Sequence, residues 1–312
     1  MPAHRLARSL ALRCGHPRSL ADPYYGCHNS STTQSCTPGL PLAAEALTTP
    51  SFLDGMSERA GRYSALQRRA VPHGQSWLTA TATAGLGGVP NVSDAFVSSL
   101  WMLDALGAAA KARTAVFIRD EIFCGAETAF AGSIWEDKLP PYCIIRVLKN
   151  NSIVVKPDYF TALLWKRLIG RRLLDATVES SPVYGDSKLR AYAFCGPGNR
   201  SVTTMLVNLG SDAINTTVAV GPPVPTSIQS DRGGGSGGGG GGGRHVWHLT
   251  AGEGGLHSAR IKVNGRLMPS NGVLPTASEL AGVAAASDGV VLLPGHSAAF
   301  VLDGALSCGG SS

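Results

Sequence analysis

The chain has 312 residues, of which 44% are hydrophobic and 15% charged. That is enough apolar material for one large domain or two ordinary ones, and it excludes a wholly disordered charged tail. The net charge of +6 favours anionic partners, yet the arginines are scattered apart from a cluster near the N-terminus, as on an ordinary basic surface.

Residues 1–38 hold Arg, Ser, Thr, Cys and Pro without a period and are expected to be irregular. Their start, MPAHRLARSLALRCGHPRS, is basic, but arginine interrupts its short apolar run, so it makes a poor secretory signal. From Pro41 to Ala70 the pattern is helical, punctuated at Pro50 and Gly55. Next comes SWLTATATAGLGG, Ser76 to Gly88: a tryptophan, small and hydroxylic residues, then glycines. It has the make-up of a loop at a catalytic strand end, yet it contains no group that titrates or attacks strongly. VSDAFVSSLWMLDALGAAAKA then reads as an amphipathic helix, with Ser93 as N-cap and Phe96, Leu100, Leu103 and Leu106 at spacings of three and four. TAVFI, 114–118, is a short apolar run followed by charge, the pattern of a strand buried on both faces. PDYFTALLWKRLIG, 157–170, predicts a second helix, with proline in its first turn, Asp158 at the positive end of the dipole and Gly170 as a stop.

After Gly170 the character changes. KLRAYAFC, SVTTMLVNL, TTVAV, HVWHLT, ARIKVNG, GVVLLPG and AAFVLD are short β-type runs separated by Gly, Pro, Asn and Ser. They predict an antiparallel sandwich. Inside it GGGSGGGGGGG, 233–243, cannot pack a core; it is expected to be a flexible insert, and no Gly-Lys-Ser/Thr follows to make it a phosphate loop. No run of about 18 apolar residues exists, so no membrane-spanning helix is expected.

The seven cysteines contain no CxxC pair, so neither a zinc nor an iron–sulfur site is expected, and their odd number leaves at least one thiol unpaired if the rest are bridged. Glycosylation sequons begin at Asn29, Asn91, Asn150, Asn199 and Asn215, and lean toward a secreted chain. Asp120 and Glu121 are adjacent carboxylates; on a strand they would point to opposite faces, so at most one could face a substrate. His245 and His248 would likewise lie on opposite faces of a strand, which argues against a metal role.

The run from Trp77 to Gly107, with NVSDAFVSSLWMLDALG at its end, resembles heparanase and the plant heparanase-like proteins of glycoside hydrolase family 79. PSFLDG before it is similar too, as are AVFIR, PDYFTALLWKRLIG, LRAYAFC, VNLG, HLTAGEGGLHSARIKVNG and SAAFVLDGALSC after it, in the same order. The resemblance implies an α/β plus all-β fold. Residues 39–172 would be an incomplete (β/α)8 TIM-barrel segment, with an unusual insertion at about 126–156. Residues 173–308 would be an antiparallel β-sandwich. It also implies retaining hydrolysis of β-glucuronide bonds by two glutamates, one protonating the leaving oxygen and one attacking the anomeric carbon. The implied partner is an acidic, glucuronic-acid-containing glycan, with neither nucleic acid nor cofactor. The implied setting is extracellular, or associated with lysosome, vacuole or membrane.

The family's nucleophile is the third residue after the tryptophan, and here that residue is Ala80. The other glutamate belongs to an earlier barrel strand, which this chain is expected to lack. Trp77 is a candidate sugar platform or else core packing at a strand end; Arg119 is a candidate contact for a uronate carboxylate or else a charge that closes the end of the AVFI strand. The resemblance also implies a Cys195–Cys308 disulfide, which would stabilise by roughly 4–5 kcal/mol on the chain-entropy account. After Arg119 the family pattern is lost, and Gly125 to Pro157 is unrelated in content. A truncated, inactive hydrolase is therefore expected; the alternatives are a noncatalytic module that binds acidic glycans and a product that does not fold by itself.

Overall fold

The structure is a computed structural model that describes residues 19–25, 43–85, 87–125, 140–179, 188–219, 243–286, 289–306 and 308. Asn29, residues 126–139 of the unusual insertion and all but the last glycine of 233–243 lie outside the described residues. The same holds for residues 1–38 apart from 19–25.

Strand β1 (Ser19–Tyr25) lies in the stretch expected to be irregular. It pairs in parallel with β2 (Gln75–Ala82), so part of the N-terminal region is built into a sheet. Between them runs helix α1 (Pro50–Ala70). The expected break at Pro50 is instead a helix start, because the first turn needs no N–H from its leading residue. The helix passes through Gly55 and buries Leu53, Met56, Ala60, Ser64 and Gln67, a stripe at spacings of three and four.

Helix α2 (Phe96–Lys111) begins later than Ser93 suggests. Its N-cap is Ala95, and the Phe96 N–H donates to Ser258 O at 2.8 Å rather than to a capping side chain. It is buried on nearly every side, not on one stripe, because further elements cover the face that an amphipathic reading leaves to solvent. Strand β3 (Val116–Arg119) pairs in parallel with β2 and forms the far edge of the sheet β1–β2–β3. The expected burial on both faces does not hold: Ile118 is 43% exposed, since no neighbour flanks β3 on its outer side among the described residues.

A small sheet follows, made of β4 (Phe123–Gly125), β5 (Ile145–Val147) and β6 (Ile153–Val155). β5 and β6 belong to the unusual insertion at about 126–156, and β4 comes just before it. Helix α3 (Pro157–Leu168) starts with proline as expected and ends two residues before Gly170. A Cβ at Gly170 would stand 2.6 Å from the carbonyls of Cys195 and Gly196, so glycine permits this close approach.

The remaining strands are β7 (Leu173–Leu174), β8 (Leu189–Cys195), β9 (Val202–Asn208) and β10 (Ile214–Thr217), then β11 (Arg244–Ala251), β12 (Ile261–Val263) and β13 (Arg266–Leu267). β14 (Val283–Ala284), β15 (Val290–Leu293) and β16 (Ser297–Asp303) complete the set. Eight of them form an antiparallel sheet in the order β13–β12–β11–β16–β9–β8–β7, with β14 also paired to β11. Asn264 and Gly265 both take positive φ in the two-residue turn between β12 and β13, as a tight hairpin requires.

The large sheet is covered on both faces. Met205, Val207, Ala298 and Phe300 join one core with the three helices, while Leu206, Ala299 and Val301 form a second core with Val291 and Leu293 of the β10–β15 pair. Every residue of β9 is buried in consequence. Helix α2 meets the sheet through Tyr192, whose hydroxyl donates to Asp104 at 2.7 Å, and a Cβ at Gly107 would run into the Tyr192 ring. No helix among the described residues is long and apolar enough to cross a membrane.

Candidate functional site

Strands β2 and β3 run parallel, so their C-terminal ends lie together, and the segments that follow them lead to the N-termini of α2 and α3. In sheets of this kind ligands meet that end. Ala80 stands near it on β2, paired with Pro23 of β1, and is partly exposed. Its neighbour Thr81 is fully buried, and its hydroxyl donates to Ile118 O at 2.5 Å. Trp77 sits three residues back along the strand, about 10 Å away, and its indole donates to Gln75 Oε1 at 3.1 Å. Its polar edge therefore turns toward the start of β2.

Arg119 lies at this end but does not offer its guanidinium to solvent. It donates through Nη2 to Asp158 Oδ2 at 2.9 Å, and both side chains are only 4% exposed. Nη1 is donated to the carbonyl of Asp120, and the guanidinium lies 5.9 Å from the centre of the Trp101 ring. Asp158 is closed off in turn: Ser98 Oγ donates to Oδ2 at 2.8 Å and Ser99 Oγ to Oδ1 at 2.9 Å. A buried carboxylate at a helix N-terminus with three donors balances the Arg119 charge, although Arg119 Nε is buried without a hydrogen-bond partner, and it pins α2, α3 and β3 to one another. The sequence shows Arg119 ending an apolar strand; it does not show that a partner arrives from 39 positions away.

A second ionic cluster lies at the same end. The loop from β2 to α2 is tied by a Thr83 Oγ1 to Ser93 Oγ bond of 2.6 Å, and Gly87 O accepts from Tyr142 N at 3.0 Å. That contact carries residues 140–146 over the loop. Asp94, on the loop, accepts from Asn91 N at 2.7 Å through Oδ1. Its Oδ2 faces Lys156 Nζ at 3.4 Å and Arg146 Nη2 at 3.5 Å. The side chains of Arg146, Lys156 and Asp94 are 15%, 12% and 14% exposed. Burial lowers the proton affinity of both cations, and Asp94 opposes that shift. Arg146 Nε is buried without a hydrogen-bond partner. His257 Nδ1 lies 2.9 Å from Asn91 O at the rim.

Asp120 and Glu121 follow β3 rather than lying in it, and Asp120 N donates to Thr81 O at 2.9 Å. Burial, and then the charge of Asp120, raise the Glu121 pKa above its ordinary value. Glu121 Oε2 is 3.1 Å from Cys124 Sγ, and Cys124 is bonded to Cys143. Glu121, Cys124 and Cys143 bring their donor atoms within 4.8 Å of one another, but the joined sulfurs leave no thiolate there for a cation. Nothing in the spacing of the cysteines marks this pair. Cys195 and Cys308 are also bonded, with Cα atoms 5.7 Å apart. The sequon residues Asn91, Asn150, Asn199 and Asn215 are all exposed.

No family model matches the chain. Among curated proteins, heparanase-like protein 1 of Arabidopsis thaliana is 27% identical over 241 residues, 72% of this chain and 40% of its own length. Baicalin-beta-D-glucuronidase of Scutellaria baicalensis is 25% identical over 236 residues, covering 74% of this chain and 37% of that protein. The chain thus spans about two fifths of the length of these relatives. The crystal structure of a 4-O-alpha-L-rhamnosyl-beta-D-glucuronidase from Fusarium oxysporum superposes with a TM-score of 0.59 at 15% identity, over 96% of this chain and 56% of that one. That likeness concerns the fold, which it places with TIM-barrel-type glycoside hydrolases. These relatives make the chain similar to the heparanase-like glycoside hydrolases, over about two fifths of their length.

Proposed function

We propose that this chain binds glucuronic-acid-containing glycans without cleaving them. In this reading β1–β3 and α1–α3 are an incomplete (β/α)8 barrel, and the eight-stranded sheet with the β10–β15 pair is the β-sandwich behind it. The substrate class follows from the relatives' names, two of which specify a β-D-glucuronidase.

The observation that carries the reading is Ala80. Retaining hydrolysis needs a carboxylate below the anomeric carbon, roughly 5–5.5 Å from the acid that protonates the leaving oxygen. A methyl group can neither attack nor stabilise an oxocarbenium-like charge. The hydroxyl next to it does not substitute, since Thr81 is buried and donates its proton to Ile118 O. Asp158 and Asp94 at this strand end are ion-paired, and Asp120 and Glu121 lie near it as well, the first with its backbone held against Thr81.

The test is turnover of a chromogenic β-glucuronide, with binding of a glucuronic-acid oligosaccharide measured in parallel. Binding without release of the chromophore is expected. Turnover that disappears in Asp120→Asn or Glu121→Gln would overturn the reading.

A further inference from the structure

We propose that Arg146 and Lys156 form the subsite that receives an anionic group of the glycan, a uronate carboxylate or a sulfate ester. This rests on the glycan-binding reading above and names the part of the site that would read charge. It replaces Arg119 in that role, because the Arg119 guanidinium is closed against Asp158, Ser98 and Ser99.

Three observations converge. The first is charge: two cations share the single Oδ2 of Asp94, whose other oxygen already accepts from Asn91 N. The cluster therefore holds one positive charge beyond its own carboxylate, in a setting where burial already disfavours both cations. An incoming oxyanion would supply the missing negative charge. The second is unused donor capacity. Arg146 Nη2 also donates to Pro140 O at 3.0 Å, but Nε has no partner. That Nε is buried, like the equally unpaired Nε of Arg119, so the donors an oxyanion can reach are those of Lys156 Nζ, whose ammonium has three and whose bond to Asp94 Oδ2 uses one. The third is place. Lys156 is the N-cap of α3, and Asp94 stands two residues before α2, just ahead of its N-cap Ala95, so both helix N-termini lie beside the cluster. The β2–α2 loop that carries Asp94 leaves the strand of Ala80, and 12–15% of each cation stays accessible. Both cations belong to the stretch between Gly125 and Pro157, which the motifs of the resemblance do not cover.

The experiment measures binding at low and moderate salt with three probes: an unsulfated oligosaccharide bearing glucuronic acid, its sulfated counterpart and a neutral oligosaccharide of equal length. Wild-type protein is expected to bind the acidic probes, more weakly as salt rises. The double variant Arg146→Gln, Lys156→Gln should lose about tenfold in affinity for them. Asp94→Asn keeps the acceptor for Asn91 N and removes the competing charge, so it should bind them several-fold more tightly, a gain that a purely structural cluster would not give. A loss confined to the sulfated probe assigns the sulfate ester; a loss confined to the unsulfated probe assigns the carboxylate. Should the double variant bind both acidic probes like wild type, or Asp94→Asn fail to tighten binding, the subsite is overturned while the glycan-binding reading stands. Should wild type bind neither acidic probe, that reading fails and the subsite fails with it.

Discussion

Two ionic clusters at the same end of the molecule use the same chemistry to opposite effect. Around Asp158, one cation and two hydroxyls meet one carboxylate, and the group is sealed from water. Around Asp94, two cations meet one carboxylate and remain in reach of solvent. The first is balanced in charge, so its energy goes into holding α2, α3 and β3 in register. The second is left with a surplus charge, and surplus charge at a strand end can be used on a ligand. Counting cations against carboxylates separates a structural ion pair from a binding one, where burial by itself does not.

Removing each carboxylate sharpens the contrast most. Asp158→Ala leaves Arg119 buried without its carboxylate partner on α3 and should cost about 3–5 kcal/mol in a denaturant titration. Asp94→Ala, whose cations can turn to water, should cost about 1 kcal/mol or less. Equal losses at the two positions would mean that both clusters are structural, and would end the distinction drawn here.

A smaller effect is expected from Arg119→Lys. Charge is kept, but the planar fork that reaches Asp158 and the Asp120 carbonyl together is lost. A destabilisation of roughly 1–2 kcal/mol is expected, with no change in affinity for an acidic oligosaccharide. A fall in affinity at unchanged stability would return Arg119 to the cleft.

The same distinction explains what could be read in the sequence. Local patterns were legible. The proline and Asp158 that open α3, and the β-type runs that became β8, β9, β11, β12, β15 and β16, all follow from neighbours in the chain. What was not legible depends on contacts made from far away. β1 is a strand because β2 lies beside it, not because SLADPYY has a strand pattern. Arg119 looked available because its partner is on α3. Asp94, Arg146 and Lys156 carry no shared motif, and they meet only because residues 140–146 cross the β2–α2 loop. The exposed edge of β3 has the same origin, since a buried-looking apolar run cannot announce that its outer neighbour is missing from the described sheet.

A third carboxylate gives the finest test. Glu121 is perturbed first by burial and then by the like charge of Asp120, and both act to hold its proton. Its folded pKa is therefore raised, and the sign follows. At pH below the ordinary value of 4.5 both folded and unfolded chains keep the proton and the contribution to stability is fully present. As pH rises above 4.5 the unfolded chain releases the proton first, so stability falls until the folded carboxyl has also ionised. Glu121→Gln should flatten that slope in denaturant midpoints taken between about pH 4 and 7, while leaving the midpoint at the acid end nearly unchanged. The effect should be small, because the side chain is only partly buried. A variant whose pH profile matches wild type would mean that water screens Glu121. The carboxylates at this end would then differ only in the cations they hold, which leaves the Asp94 and Asp158 pair as the whole of the electrostatic difference.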